Sequence, residues 1–154
     1  MKKYLILAFM AFISWTSLPA QTKQGDMSAG IDLGYAFETN NVRLSFDYYY
    51  NITDELRLAP SINYFLEKDN TKGYGIDMDL HYLFPLSDLV SFYPLAGLSW
   101  TSWNSGDVKR FGANLGLALE LYATDQVSVG VEAKYNIVKD IDQAILGLRI
   151  GYAF

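Results

Sequence analysis

Ten charged side chains stand inside otherwise apolar runs of this 154-residue chain: Asp32, Asp47, Asp77, Asp79, Glu120 and Glu132 against Arg43, Arg57, Lys134 and Arg149, with His81 and Asn63 beside them. Two kinds of chemistry are open to such a set. Nucleophilic hydrolysis needs a Ser, a His base and an acid that orients the His, all within hydrogen-bond reach, and His81 is the only histidine available. The alternative is mutual pairing, because acids and bases removed from water are retained when they neutralise one another. Other chemistries are poorly served. There is no Cys, which excludes disulfides, thiolate metal sites and a lipid anchor on sulfur. The glycines recur at period two rather than as a phosphate-cradling loop. Glu67-Lys68-Asp69-Asn70 lacks the ligand spacing of a dedicated calcium loop and reads as a solvated turn. No cofactor is expected.

The elements that must position these groups are strands. In Ala144–Phe154 the even positions from Leu146 onward are Leu, Leu, Ile, Tyr and Phe, and the odd ones are Gly, Arg, Gly and Ala. Period two means one bulky and one thin face. Eight such stretches are predicted, over Met27–Phe37, Val42–Tyr50, Leu56–Leu66, Gly73–Phe84, Val90–Trp100, Phe111–Tyr122, Val127–Ile137 and Ala144–Phe154. Pro60 and Pro94 cannot donate to a ladder and are expected to mark bulges or bends.

A soluble sandwich alternates too, burying its apolar set. The identity of the thin set argues against that reading. Ser28, Gly30, Asp32, Gly34 and Ala36 recur in kind as Gly112, Asn114, Gly116, Ala118 and Glu120, and again as Ser128, Gly130, Glu132, Lys134 and Asn136. Exposed glycine weakens a strand, whereas small residues facing a crowded lumen, with large apolar residues facing lipid, fit a narrow eight-stranded antiparallel up-and-down transmembrane β-barrel.

Met1-Lys2-Lys3, the apolar run Tyr4 to Ile13 and Ser17-Leu18-Pro19-Ala20 read as a cleavable signal peptide over residues 1–20, leaving residues 21–154 as one barrel domain. Its loss removes Lys2 and Lys3, so the formal charge of −5 becomes −7, a sign that disfavours nucleic acid. With 51% hydrophobic residues the chain is too apolar for disorder.

Asn51-Ile52-Thr53-Asp54, Pro85-Leu86-Ser87-Asp88 and Ala123-Thr124-Asp125-Gln126 are three similar tight turns, each with a hydroxyl residue before Asp. They alternate with more polar links at Glu38 to Asn41, Glu67 to Lys72, Thr101 to Arg110 and Val138 to Gln143. The turns are assigned to the periplasmic side and the links to the outside, and an even strand count leaves both termini periplasmic. On the bulky face Tyr48, Tyr50, Tyr82, Phe84, Phe92, Tyr152 and Phe154 form a band toward the turns, and Phe37, Tyr64, Tyr74, Trp100, Phe111 and Tyr135 form one toward the links. Aliphatic residues lie between them, as two membrane interfaces require. On the thin face Asp32, Glu132 and Arg149 each sit five residues up from the turn end of strands one, seven and eight, which become neighbours on closure. A buried charge cluster is therefore predicted there, with Asp47, Asp77, Asp79, Arg43 and Lys134 in the same lumen.

The alternating strands, the Thr-Asp turns, the run Asn114–Tyr122 leading into Val129–Tyr135, and the ending Gly151-Tyr152-Ala153-Phe154 resemble the small outer-membrane β-barrel superfamily, which includes outer-membrane protein X and the transmembrane domain of outer-membrane protein A. The resemblance implies residence in the outer membrane of a diderm bacterium among its lipids; no catalytic residues are expected, because His81 points inward on the periplasmic third of the fourth strand, away from the outer leaflet where lipid-modifying barrels place their catalytic groups. It also implies that Phe154, Tyr152 and Ile150 form the signal read by the barrel-assembly machinery, with periplasmic chaperones as partners during biogenesis. Outer-membrane protein X carries long protruding loops implicated in surface interactions, whereas the longest link expected here is Thr101 to Arg110. The expected role is a structural one in the envelope or a very small porin-like pore. A surface interaction protein using Trp103 as an outer-loop contact is the alternative, and a lipid-modifying enzyme comes third.

Overall fold

The computed structural model describes residues 22–104 and 106–154, so the signal segment 1–20 lies outside the described residues. Eight strands form the wall: β1 Met27–Ala36, β2 Asn41–Asn51, β3 Leu56–Lys68, β4 Thr71–Tyr82, β5 Val90–Trp103, β6 Val108–Tyr122, β7 Val127–Val138 and β8 Gln143–Ala153. Phe84–Pro85 continues β4 past Leu83 and pairs with Ser91 and Phe92 in the register that β4 already keeps with β5. Every neighbouring pair is antiparallel, and the β1–β8 ladder closes the sheet. Closure is what hydrocarbon demands, because an unpaired amide there costs several kcal/mol.

Register fixes the shape. Followed once round from Met27, partner positions run through Tyr50, Leu58, Leu80, Ala96, Leu115, Tyr135 and Ala144. They return to the chain at Phe37, whose amide donates to the Ala144 carbonyl at 3.0 Å. From Met27 to Phe37 is a stagger of ten residues. At about 3.3 Å per residue and about 4.8 Å between strands, this tilts the strands by roughly 40°, which leaves an interior wide enough only for side chains.

The faces are inverted relative to a soluble protein. Phe111 and Leu98 are 81% and 70% exposed, while Arg57 and Asp79 are 2% exposed. The two aromatic bands lie on the outer surface, and neighbours within each touch: Tyr64 and Tyr74 have ring centroids 5.1 Å apart, and Tyr82 and Phe84 4.8 Å apart.

The structure corrects the sequence reading in three places. Pro60 and Pro94 mark neither bulge nor register change, since Asp47↔Ser61 and Tyr50↔Leu58 keep one register across Pro60, as do His81↔Leu95 and Phe84↔Phe92 across Pro94. Each proline sits at a gap in one of its two ladders, Pro60 in that with β2 and Pro94 in that with β4, and the irregularity falls instead between Phe65 and Lys68. The link Thr101 to Arg110 is mostly strand, because β5 runs to Trp103 and β6 starts at Val108. Trp103 is accordingly no exposed anchor. It is 3% exposed, faces inward and packs on Phe65 with ring centroids 4.7 Å apart, beside Ala36 and Ile145. Gly73 permits this, since a Cβ there would lie 2.8 Å from the indole.

The three tight turns share one hydrogen-bond pattern. At the first, the Ile52 amide donates to the Leu56 carbonyl at 2.8 Å, and the Leu56 amide donates to Thr53 Oγ1 at 2.9 Å. Leu86, Val90 and Ser87 repeat it, as do Ala123, Val127 and Thr124. The hydroxyl satisfies an amide that the departing strand leaves open. Thr53→Val and Thr124→Val each keep the shape and remove that acceptor, and each is expected to lower stability by about 1 kcal/mol in equilibrium urea unfolding from lipid vesicles.

Candidate functional site in the barrel lumen

Alternation brings the inward members of all eight strands together, and the charged ones form a connected belt. Arg149 on β8 is its most heavily engaged cation. Its Nε donates to both oxygens of Asp47 at 2.9 and 3.0 Å, one terminal nitrogen donates to Asp47 Oδ1 at 2.7 Å, and the other reaches Glu120 Oε1 at 3.4 Å. The guanidinium also lies over the Tyr49 ring, 3.8 Å from its centroid. Glycine provides the space: a Cβ on Gly30 or Gly151 would collide with the Arg149 side chain. The small residues of the thin face are thus the complement of a large buried cation.

Toward the turn end, Arg57 donates to Glu120 Oε2 at 2.8 Å and sits between Tyr49 and Tyr93, at 4.1 and 4.7 Å from the ring centroids. His81, 1% exposed, stacks on Tyr93 at 4.5 Å and places Nδ1 3.3 Å from Arg57 Nε. Glu120 is further held by Ser128 Oγ at 2.8 Å. Toward the links, Lys134 Nζ meets Asp79 at 2.6 Å, Asp77 at 3.3 Å and Glu132 at 3.4 Å. Asn136 donates to Asn114 at 2.6 Å, and Asn114 donates to Asp79 at 2.8 Å. Arg43 pairs with Asp32, and Ser45 bonds Asn63. The Phe65–Trp103 cluster is buried at the link end of the lumen, beyond this belt.

All eight residues predicted for the charge cluster are inside and at most 9% exposed. The structure partners them differently. Asp32 and Arg149 are register neighbours across β1–β8, and Glu132 lies opposite Gly147, but the expected Asp32, Glu132 and Arg149 trio does not pair among itself. Asp32 binds Arg43, Glu132 binds Lys134, and Arg149 extends across to Asp47 and Glu120. Long side chains of tilted strands reach groups several strands away, which counting along adjacent strands cannot capture. Tyr49 and Tyr93, the platforms for the two arginines, went unrecognised among neighbouring outward aromatics, although Tyr49 has inward parity between Tyr48 and Tyr50. Of the terminal trio, Ile150, Tyr152 and Phe154 all point outward, at 64%, 51% and 69% exposure.

Within the belt, Asp32, Asp47, Asp79, Glu132, Lys134 and Arg149 help enclose a cavity of about 20 Å³. That is room for about one water.

An inverted, closed, eight-stranded antiparallel barrel with a polar interior and aromatic bands at both rims is a transmembrane β-barrel. The chain belongs to the outer membrane protein beta-barrel domain family, whose profile matches residues 5–154. Its fold is similar to the N-terminal β-barrel domain of Pseudomonas aeruginosa OprF, with 20% identity over 86% of this chain and 100% of that one and a TM-score of 0.74. It is also similar to OprG of the same organism, with 13% identity over 88% of this chain and 99% of that one and a TM-score of 0.63. Ail, the attachment invasion locus protein of Yersinia pestis, shows 16% identity over 85% of this chain and 99% of that one, with a TM-score of 0.59. No curated protein sequence matches the chain. It is an outer-membrane β-barrel protein.

Arg149→Gln leaves Asp47 without its bidentate partner and Glu120 with one cation fewer. Breaking a buried pair in this way is expected to cost about 3–5 kcal/mol, read as a lower urea midpoint for the refolded barrel.

Proposed function

We propose that the protein is a non-enzymatic structural element of the outer membrane whose lumen is closed to ions. The observation that carries this reading is the charge belt around a cavity of about 20 Å³. The four fully buried cations among the described residues are each engaged by at least one carboxylate, so the acids and bases read as a plug that fixes register. Conduction would require a hydrated ion to separate those pairs.

In this reading both termini lie in the periplasm with the three hydroxyl-capped turns. Ile150, Tyr152 and Phe154 present the outward terminal signal to the barrel-assembly machinery, after delivery by periplasmic chaperones. The surface-interaction alternative loses support, because Trp103 is inside and each strand connection spans two to four residues.

Single-channel recording in planar bilayers tests the closed lumen, using mature protein whose folding is verified by heat-modifiable gel mobility. Wild type should be silent across the applied voltage range. Reproducible ionic steps whose amplitude changes in Arg149→Gln would instead establish a pore through the belt.

A further inference from the structure

Seven of the eight ladders join strands that are consecutive in the chain, and the eighth, between β1 and β8, joins strands from its two ends. Re-forming that seam after an opening closes a loop of nearly the whole barrel, whereas every other ladder re-forms as a hairpin, and loop-closure entropy grows with length. The inner face of the seam is also thin. From the turn end its facing pairs are Gly30 with Gly151, Asp32 with Arg149, Gly34 with Gly147 and Ala36 with Ile145. Among the described residues glycine faces glycine in this ladder and in no other. Cross-strand side-chain pairs are what stabilise a sheet. On the lipid side Ile31 with Ile150 and Leu33 with Leu148 gain little by meeting, because lipid is as apolar as they are.

One side chain compensates on the turn half. Arg149 leaves β8 between the two glycine pairs, passes over β1 at Gly30 and ends on Asp47 of β2, with contacts of 2.7, 2.9 and 3.0 Å. The strand it crosses has no side chain in the way, since a Cβ on Gly30 would lie 2.5 Å from the guanidinium. The pair therefore ties β8 to β2 with β1 held between them. β1 reciprocates one step along: Asp32 reaches over Gly147, where a Cβ would lie 2.5 Å from its carboxylate, while pairing with Arg43 of β2. The link end of the seam has ties of its own, from the Ala144 amide to Glu38 Oε2 at 2.7 Å and between Thr39 and Gln143 at 3.2 Å. On the lipid side of the turn half, Phe154 meets Tyr48 across β1 with ring centroids 6.3 Å apart.

We infer that the β1–β8 seam is the line along which this barrel opens, and that the Arg149–Asp47 pair is the latch that keeps its turn half shut. The other ion pairs of the belt do not act there. Arg57 with Glu120, and Lys134 with Asp77, Asp79 and Glu132, lie on β3 to β7. Arg43 with Asp32 ties β1 only to β2, the strand its own hairpin already supplies. The second contact of Arg149, to Glu120, runs from β8 to β6 and does not cross β1. Breaking Arg149 from Asp47 therefore releases β1 from β8 selectively, where breaking another belt pair loosens the wall elsewhere. The latch acts on the wall and is independent of whether ions pass through the lumen.

The test is residue-resolved hydrogen exchange by NMR on the refolded mature chain in lipid nanodiscs, with heat-modifiable mobility verifying that each variant is folded. In wild type, amides bonded across β1–β8 on the turn half should exchange faster than amides bonded across β3–β4 at the same distance from the turns. Asp47→Asn keeps the shape and removes the charge; it should speed seam exchange about tenfold or more and leave β3–β4 within about twofold of wild type. Asp77→Asn takes one carboxylate from Lys134 without touching the seam, and should leave the seam within about twofold of wild type. A wild-type seam protected as well as β3–β4 overturns the inference, and that comparison needs no variant. So does an Asp47→Asn barrel whose seam exchange is unchanged or rises no more than that of β3–β4, which makes the pair a general stabiliser. Seam acceleration in Asp77→Asn equal to that in Asp47→Asn overturns it as well.

Discussion

The constraint on which everything else depends is that no backbone amide can be left open in hydrocarbon. It closes β1 on β8, and the ladder spans the β1–β8 seam as it does other pairs. Closure with eight strands and a ten-residue stagger then sets the radius. At that radius the interior must be filled by side chains, so the lumen is a core whose polarity is reversed. The same constraint explains the turns: where the ladder stops, Thr53, Ser87 and Thr124 supply the oxygen that the next amide lacks. It also explains how the two prolines are tolerated. Each omits one donor while the register on either side is kept.

A polar core this narrow favours few, large and multiply engaged groups. Arg149 shows why arginine suits it: a planar fork serves two carboxylates on different strands while its face rests on Tyr49. Lysine plays the other part, as a point charge shared among Asp77, Asp79 and Glu132. The aromatic rings inside the wall are therefore electrostatic surfaces as well as packing units, for Tyr49 contacts both Arg57 and Arg149. Glycines on β1 and β8 are the space these cations occupy. A purely steric view of the thin face, small residues for a small lumen, misses this coupling between Gly30, Gly151 and the guanidinium between them.

Period-two alternation made the strands legible, and the identity of the thin set gave the orientation of their faces. Parity alone placed Asp32, Asp47, Asp77, Asp79, Glu132, Arg43, Lys134 and Arg149 inside. Which of them touch was not legible, because reach across the lumen depends on stagger and on rotamers, and neither is written in the local pattern. Trp103 failed for a different reason. A Trp between Ser102 and Asn104 has the composition of a loop, yet its odd number continues the inward parity of Tyr93, Leu95, Ser99 and Thr101. Parity, not local polarity, sets the direction of this side chain. The strands at that end therefore run longer, and the connections are shorter, than turn composition suggests.

Among the described residues six buried carboxylates face four buried cations, and the imbalance falls on the link-side half of the belt, where Lys134 serves three acids. Neutral donors make up part of the difference. Asn136 donates to Asn114, whose amide donates to Asp79, and Ser128 donates to Glu120 beside the arginines. Hydrogen bonds to an ionised acceptor are about twice as strong as neutral ones, and a chain of amides polarises along its length. An asparagine is also shorter than a lysine and brings no charge that itself requires a partner. Where the lumen already holds four large cations, amide dipoles stabilise the surplus carboxylates within the remaining volume, and a fifth base would have to displace one of the groups that keeps the wall in register.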